Sequence, residues 1–441
     1  MKHRPLRSLH WDLSLRRLPF LLCRSAWLLT ACLANSFAQQ GQVTYTWQQI
    51  KDRFEATNPT LKAAQLNIDE SRAAEITAYL RPNPDFSFTA DGTQLAPSLG
   101  VWRPLSGTDY STSVSYLHER GSKRELRLEG AKKSADIAGS TYQDQERGLV
   151  FTLRNAFVQV LQAKAVLDNA KENLAYWDRE LGVSRTRLNA GDIAQLDLNR
   201  LTLQRVQFET DIETATVNLR TAKIQLLTLL NDRTPIEQFD VAGPYEFADN
   251  LMPIEEFRAM ALASRPDLKA AMQNVELAKT QHQLAVANGS TDPTFAGWYT
   301  KNPSFSNPFD NQTVGFSVSI PLRIFDRNQG EKERTEIDIR RNQRLQDAAS
   351  AQVSSDVDSA YVTMTSAIRM LQSYKETYMK LATSVRDTMS LAYRNGGSSL
   401  LDYLDAEKSY RDTRLAYLNL VGSYLTAAAQ MNQAVGREVI Q

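Results

Sequence analysis

Apolar and polar residues along this chain follow two rhythms, and each rhythm appears twice. The first has period two. Phe86 and Phe88 alternate with Ser87 and Thr89, and Val114 and Tyr116 alternate with Ser113 and Ser115. Far downstream Phe316, Val318 and Ile320 alternate with Ser317 and Ser319, after an aromatic stretch around Phe295, Trp298 and Tyr299. Such alternation predicts strands with one apolar and one hydroxyl-bearing face. The second rhythm is a heptad. Phe208, Ile212, Ala215, Leu219, Ala222, Leu226 and Leu229 step by four and three, the seam of a coiled coil. Tyr417, Leu420, Tyr424, Ala427, Met431 and Ala434 continue the same steps at an offset of 205.

The connecting segments repeat as well. Asn58-Pro59-Thr60-Leu61-Lys62-Ala63-Ala64 returns as Arg265-Pro266-Asp267-Leu268-Lys269-Ala270-Ala271, and Gly191 with Leu196-Asp197 returns as Gly396 with Leu401-Asp402. The pattern predicts two repeats, 39–245 and 246–441, each built as helix, two strands, a very long helix, a glycine tip and a returning helix. Thr46 and Gln49 form a capping box for a helix from Trp47 to about Leu80, which Arg81-Pro82-Asn83-Pro84 ends. Its counterpart runs from Ile254 to Ala287. No proline interrupts Ser122–Leu188 or Gln329–Arg394, so each predicts one helix of about 65 residues and about 100 Å. The connections Asp91–Thr108 and Lys301–Asn311 are rich in Gly, Pro, Asn and Ser and predict exposed loops.

Composition narrows the setting. The first 38 residues carry Lys2, Arg4, Arg7, Arg16, Arg17 and Arg24 against Asp12, then a short apolar run and Ser36-Phe37-Ala38. This reads as an export signal, 1–38, cleaved after Ala38. Leu29-Thr30-Ala31-Cys32 also fits a lipobox, which would make Cys32 a lipidated N-terminus. Removing that net +5 from a chain of net +1 leaves about −4, which argues against nucleic acid as a partner. Both cysteines, Cys23 and Cys32, lie in the export segment, so a chain cut after Ala38 has no disulfide. Beyond it no apolar run reaches the length of a spanning helix, so entry into a membrane would be by strands.

Four strands per chain with open edges cannot close alone. Three chains would supply twelve strands, with apolar residues toward lipid and polar ones toward an aqueous bore. The expected fold is mainly α with a small β part: duplicated coiled-coil hairpins plus four transmembrane strands per chain. A homotrimer would then form a 12-stranded barrel and an α-helical tunnel. Catalysis finds little support. After the export segment only His118 and His282 remain among the histidines, no metal-ligand spacing or phosphate-binding glycine motif occurs, and no cofactor is expected.

At this point the chain resembles the TolC-like outer-membrane efflux proteins, the outer membrane factors of tripartite efflux systems. Ile320-Pro321-Leu322-Arg323-Ile324-Phe325-Asp326-Arg327-Asn328-Gln329-Gly330 is similar to the family's strand-to-helix signature. Glu119-Arg120-Gly121-Ser122-Lys123-Arg124 is similar to the Gly-Lys-Arg turn of the heavy-metal and multidrug branch, with Ser122 inserted. The resemblance implies a passive exit duct in the outer membrane, with a tunnel in the periplasm, a periplasmic adaptor and an inner-membrane pump as partners. It implies a constricting ring at Asp402 and Asp405, within Leu401-Asp402-Tyr403-Leu404-Asp405-Ala406, and a gate latch of Tyr393 with Asp197. Ser398 stands where the family places an arginine. The tips at Asn189, Gly191, Asn395, Gly396 and Gly397 would dock the adaptor. A periplasmic coiled-coil adaptor without a barrel is the competing reading, and a secreted enzyme is a third.

Overall fold

The computed structural model describes residues 43–105, 107–302 and 311–440. The export segment with Cys32, and most of the 301–311 connection, lie outside the described residues. The chain begins with β1 (Val43–Tyr45), α1 (Trp47–Thr57) and α2 (Pro59–Tyr79). The capping box at Thr46 and Gln49 forms. The expected single helix to Leu80 is instead two. Pro59 has no N–H to continue the ladder and forces Asn58 into an extended conformation. Asn58 then caps α2, its Oδ1 accepting from the N–H groups of Thr60 at 2.9 Å and Leu61 at 3.1 Å. Arg265-Pro266 divides the counterpart in the same way, into α5 (Ile254–Ser264) and α6 (Pro266–Asn288).

Strands β2 (Asp85–Asp91), β3 (Asp109–Leu117), β5 (Thr294–Lys301) and β6 (Gln312–Ser319) form one antiparallel sheet in the order β2-β3-β5-β6. Its register separates the two faces. Phe86 opposes Val114, Tyr116 opposes Phe295, Phe295 opposes Val318 and Gly297 opposes Phe316 on the apolar face. Ser87 opposes Ser113, Ser111 opposes Thr300 and Ala296 opposes Ser317 on the other. Ile320 falls just beyond β6. Trp298 lies three residues from Phe295 and therefore faces the hydroxyl side, apart from Phe295 and Tyr299. Its indole lies over Gly315, where any Cβ would collide with it. A smaller parallel pair, β1 with β4 (Phe239–Val241), went unseen in the sequence because three residues carry no readable alternation.

Helix α3 (Lys123–Ala190) is unbroken over 68 residues, about 100 Å. It returns through α4 (Gln195–Leu229). In the second half α7 (Gln329–Ser373) passes through a π turn, Tyr374–Tyr378, into α8 (Met379–Arg394), and α9 (Leu400–Val435) returns. The expected continuous helix thus contains one wide turn, with a cause in the repeat spacing. Ala156 corresponds to Ala360, 204 positions on, whereas Gly191 corresponds to Gly396, 205 positions on. The second hairpin holds one additional residue between those landmarks, and a π turn absorbs one residue without rotating the helix beyond it.

Apolar packing is spread along the length rather than gathered in one place. The heptad seam of α4 places Ala222 and Leu226 against Phe157, Leu161 and Phe239. In α9, Tyr424 and Ala427 meet Met364 and Leu371, while Met431 and Ala434 meet Phe257 and Val357. At the strand-to-helix turns Ser122 and Asn328 both take left-handed conformations, φ 56° and φ 62°. Lys123, buried there, pairs with Asp292 at 2.5 Å and ties the first repeat to the second.

Deleting Glu376 is expected to convert the π turn into regular helix, leaving the thermal midpoint of the detergent-solubilised protein within a few degrees of wild type. Deleting Glu172 from α3 would instead rotate Trp177 by about 100° away from its core. That is expected to cost more than ~3 kcal/mol. Equal losses from the two deletions would refute this account of the wide turn.

Candidate functional site

Both hairpins reverse at glycines in left-handed conformations, Gly191 at φ +82° and Gly396 at φ +75°. The Asp192 N–H donates to Arg187 O at 2.8 Å, and the Gly397 N–H donates to Ala392 O at 2.8 Å, so the last carbonyls of each outgoing helix are satisfied in equivalent ways. Asn189, Gly191, Asn395, Gly396 and Gly397 are all exposed at these tips.

Behind the tips the four helices meet in an aromatic core. Trp177 of α3, fully buried, donates its indole N–H to Leu201 O at 3.0 Å and packs on Phe208 of α4, with ring centres 5.0 Å apart. Tyr403 of α9 stacks on Trp177 at 6.2 Å and on Tyr393 of α8 at 5.2 Å, both nearly parallel. One continuous stack therefore joins the two repeats. Aromatic pairs of this kind add about 0.5–1.5 kcal/mol each beyond the area they bury.

Charged groups surround the stack. Arg187 of α3 lies over the Tyr393 ring at 5.2 Å and donates to Tyr393 O at 3.3 Å. Arg394 pairs with Glu180 of α3, whose side chain is about nine-tenths buried. Arg386 is sandwiched between Tyr410 at 4.0 Å and Tyr176 at 5.3 Å. Glu407 is 4% exposed and its Oε1 has no hydrogen-bond partner. Burial pushes the Glu407 carboxyl above the ordinary range, against the opposing pull of the Tyr176 hydroxyl, Arg386 and Arg411.

Asp402 and Asp405 are exposed on the first turns of α9. Asp402 completes a capping box: Ser399 Oγ accepts from the Asp402 N–H at 3.2 Å, and the Ser399 N–H donates to Asp402 Oδ2 at 3.2 Å. That bond positions the carboxylate at the helix start. Asp197 sits half-buried in the first turn of α4. Among the described residues the Tyr393 hydroxyl has no hydrogen-bond partner, Asp197 included. Burial, and then the charge of Asp197, push its pKa up. Ser398 Oγ is likewise buried without a hydrogen-bond partner among the described residues.

Sequence reading missed Trp177, Glu180, Arg187, Arg394 and Glu407. Only Glu407 left a signal, since it lies four residues after Tyr403 on an apolar stripe. His282 bonds Thr335 at 2.9 Å, and no cluster of His, Cys, Asp or Glu able to hold a metal occurs among the described residues. Nor, among them, is any helix long and apolar enough to cross a membrane.

The sequence matches the model of the outer membrane efflux proteins in two stretches, residues 52–232 and 258–437. The chain belongs to this family. It is 25% identical over 394 residues to the cobalt-zinc-cadmium resistance protein CzcC of Cupriavidus metallidurans, covering 86% of this chain and 87% of that one. It is 22% identical over 377 residues to the outer membrane protein TolC of Escherichia coli, covering 78% and 75%. Among solved structures, CusC superposes with a TM-score of 0.74 at 18% identity over 90% of this chain and 93% of that one. The outer-membrane channel OprN gives 0.71 at 16% over 88% and 89%. These likenesses establish the fold. The protein is an outer-membrane efflux channel component, a transport protein of the TolC type.

Because the Glu407 carboxyl is harder to ionise when folded, the folded protein holds that proton to higher pH than the unfolded chain. The associated stability is present below the ordinary carboxyl pKa and is lost as pH rises through the raised one. Glu407→Gln is expected to stabilise the detergent-solubilised protein at pH 7.5 by about 1 kcal/mol. The gain should vanish below about pH 4. Thermal melts at both pH values check this; a destabilised variant at pH 7.5 would contradict it.

Proposed function

We propose that three copies of this chain assemble into a 12-stranded barrel in the outer membrane, continued by an α-helical tunnel through the periplasm. The observation that carries this reading is the β2-β3-β5-β6 sheet, apolar on one face and hydroxyl-rich on the other. Its outer edges, β2 and β6, are unpaired among the described residues. In a bilayer every backbone N–H and C=O must be satisfied internally, which a closed ring of sheets achieves and an open sheet does not. Residues 39–245 and 246–441 are then two repeats that supply equivalent staves of the tunnel wall.

In this assembly the tips at Asn189, Gly191, Asn395, Gly396 and Gly397 dock a periplasmic adaptor that links the duct to an inner-membrane pump, the source of the energy. Asp402 and Asp405 from three copies form an acidic ring at the narrow end, favouring cations over anions. Tyr393 and Asp197 form part of the gate, and since no bond joins them in the protomer, the Tyr393 hydroxyl is available to a partner gained on assembly. The cargo class is a drug or a metal cation. Similarity to CzcC supports the heavy-metal branch. Two hairpins alternating with two strand pairs favour the duct over a periplasmic adaptor, whose single hairpin would need no such sheet.

The first test compares unheated and heated membrane extracts. A detergent-dependent species near three chain masses that collapses on heating is expected; a soluble monomer would remove the barrel. Phe316→Lys on the apolar face should cost about 2–4 kcal/mol and impair membrane assembly, whereas Ser317→Lys on the opposite face should be tolerated. In planar bilayers, Asp402→Asn with Asp405→Asn is expected to reduce cation preference several-fold. An unchanged preference would place the constriction elsewhere.

A further inference from the structure

The connection from β2 to β3 is an ordered ribbon. The Gln94 N–H donates to Pro104 O at 3.2 Å, its side-chain amide donates to Val101 O at 3.0 Å, and its Oε1 accepts from the Arg103 N–H at 2.8 Å. Ser98 and Val101 then exchange both backbone bonds, at 3.1 and 3.0 Å, around a two-residue turn. Both turn residues are left-handed, Leu99 at φ 52° and Gly100 at φ 77°. Glycine, asparagine and aspartate suit such a turn, and a leucine there is held in an unfavourable conformation. Leu99 is also 101% exposed, with Leu95 at 90% and Trp102 at 51%. A leucine so placed buries no apolar area in its own protomer.

Three observations favour a lipid surface as the occupant. Residues 92–108 contain one charged side chain, Arg103, and no carboxylate. An aromatic, a cation and aliphatic side chains together are the composition of a membrane-interface anchor, the cation meeting phosphate and the rest meeting acyl chains. The ribbon also stands at the end of the sheet away from the long helices, continuing β2 and β3, whose Phe86, Phe88 and Val114 are exposed on the apolar face. Finally, the four strands are seven to nine residues long. At about 3.3 Å per residue and a tilt near 40° they rise only ~20 Å, less than the ~25 Å apolar band of a barrel wall. At the helix end Ile320, Leu322 and Phe325 lie exposed beyond β6, and the ribbon supplies matching apolar positions at the far end.

We propose that the ribbon 92–108 is an anchor in the outer leaflet of the bilayer, with Leu95, Leu99 and Trp102 among acyl chains and Arg103 at phosphate groups. This rests on the duct reading above, which puts the far end of the sheet at the cell surface. The turn carries Leu99 at the front of the ribbon, and insertion recovers the apolar burial that the protomer does not supply. The anchor sets how deep the barrel wall sits.

The test uses the full-length channel in vesicles of phosphatidylcholine with phosphatidylglycerol. One fluorophore at a time is placed on Leu99→Cys, on Val314→Cys of the apolar strand face, or on Asn189→Cys at a helical tip. Leu99 and Val314 are exposed, so labelling removes no packing. Nitroxide-bearing acyl chains quench a label that touches lipid, and iodide quenches one in water. Lipid quenching of the Leu99 label is expected to be about fivefold that of the Asn189 label, with little quenching by iodide. Arg103→Gln should lower it about twofold in these vesicles and leave it unchanged in pure phosphatidylcholine. An equal effect in both lipids would remove the contact with anionic headgroups. A Leu99 label open to iodide would overturn the anchor. So would a label shielded from iodide and lipid alike, the result if three ribbons met one another over the mouth of the bore. Lipid quenching at Val314 without it at Leu99 overturns the anchor alone. Its absence at Val314 overturns the duct, and quenching at Leu99 in that case retains a ribbon that binds lipid without a barrel.

Discussion

The unpaired edges of the β2-β3-β5-β6 sheet are the constraint on which the rest of this molecule depends. Exposed edges invite pairing with any other strand, and an apolar face carrying Phe86, Phe88 and Phe316 is unfavourable in water. Closure of the sheet with further copies of the chain in a bilayer, as proposed above, would resolve both problems together. In such a closed wall about ten residues per strand would suffice. The remaining length is available for helices. The longest of them, α3, spans about 100 Å without a single central core, so cohesion is divided among local clusters placed along the helices.

The tip joins the two hairpins by two different kinds of contact. The Trp177, Tyr403 and Tyr393 stack supplies area and a fixed geometry, while Arg187, Glu180 and Arg394 supply interactions that depend on charge and solvent access. Aromatic packing is hard to switch, whereas an ion pair with one exposed member is weak enough to break. Glu407, buried without a full set of partners, lowers the stability of the same region at neutral pH. A buried carboxyl with an unbonded oxygen makes this region less stable than a fully satisfied one would be.

Much of this was legible in the sequence because the signals were periodic. The heptads of α4 and α9, the proline-free length of α3 and the alternation in β2, β3 and β6 each sum many residues that agree. What escaped were single-residue effects. Asn58-Pro59 and Arg265-Pro266 divide helices whose apolar pattern runs straight through, since periodicity does not register one missing N–H. Trp298 was grouped with Phe295 and Tyr299 by residue type, although strand geometry sends it to the other face. The site was legible only in part. Resemblance pointed to Tyr393, Asp197, Asp402 and Asp405, but Glu180 and Arg394 are 214 residues apart and come together only through the fold. Asp402 shows a different overlap, because the carboxylate assigned to the pore also caps its own helix.

The wide turn in the second hairpin also records history. A duplication produces two equal copies, so a difference of one residue between them arose afterwards and in one copy only. Helical walls can accept such a change, because a local bulge restores the facing of everything downstream. In a strand, one residue added inside β5 without a compensating bulge would exchange the side chains of its two faces together. Descendants of this chain can therefore change the length of their long helices by single residues more readily than that of their strands.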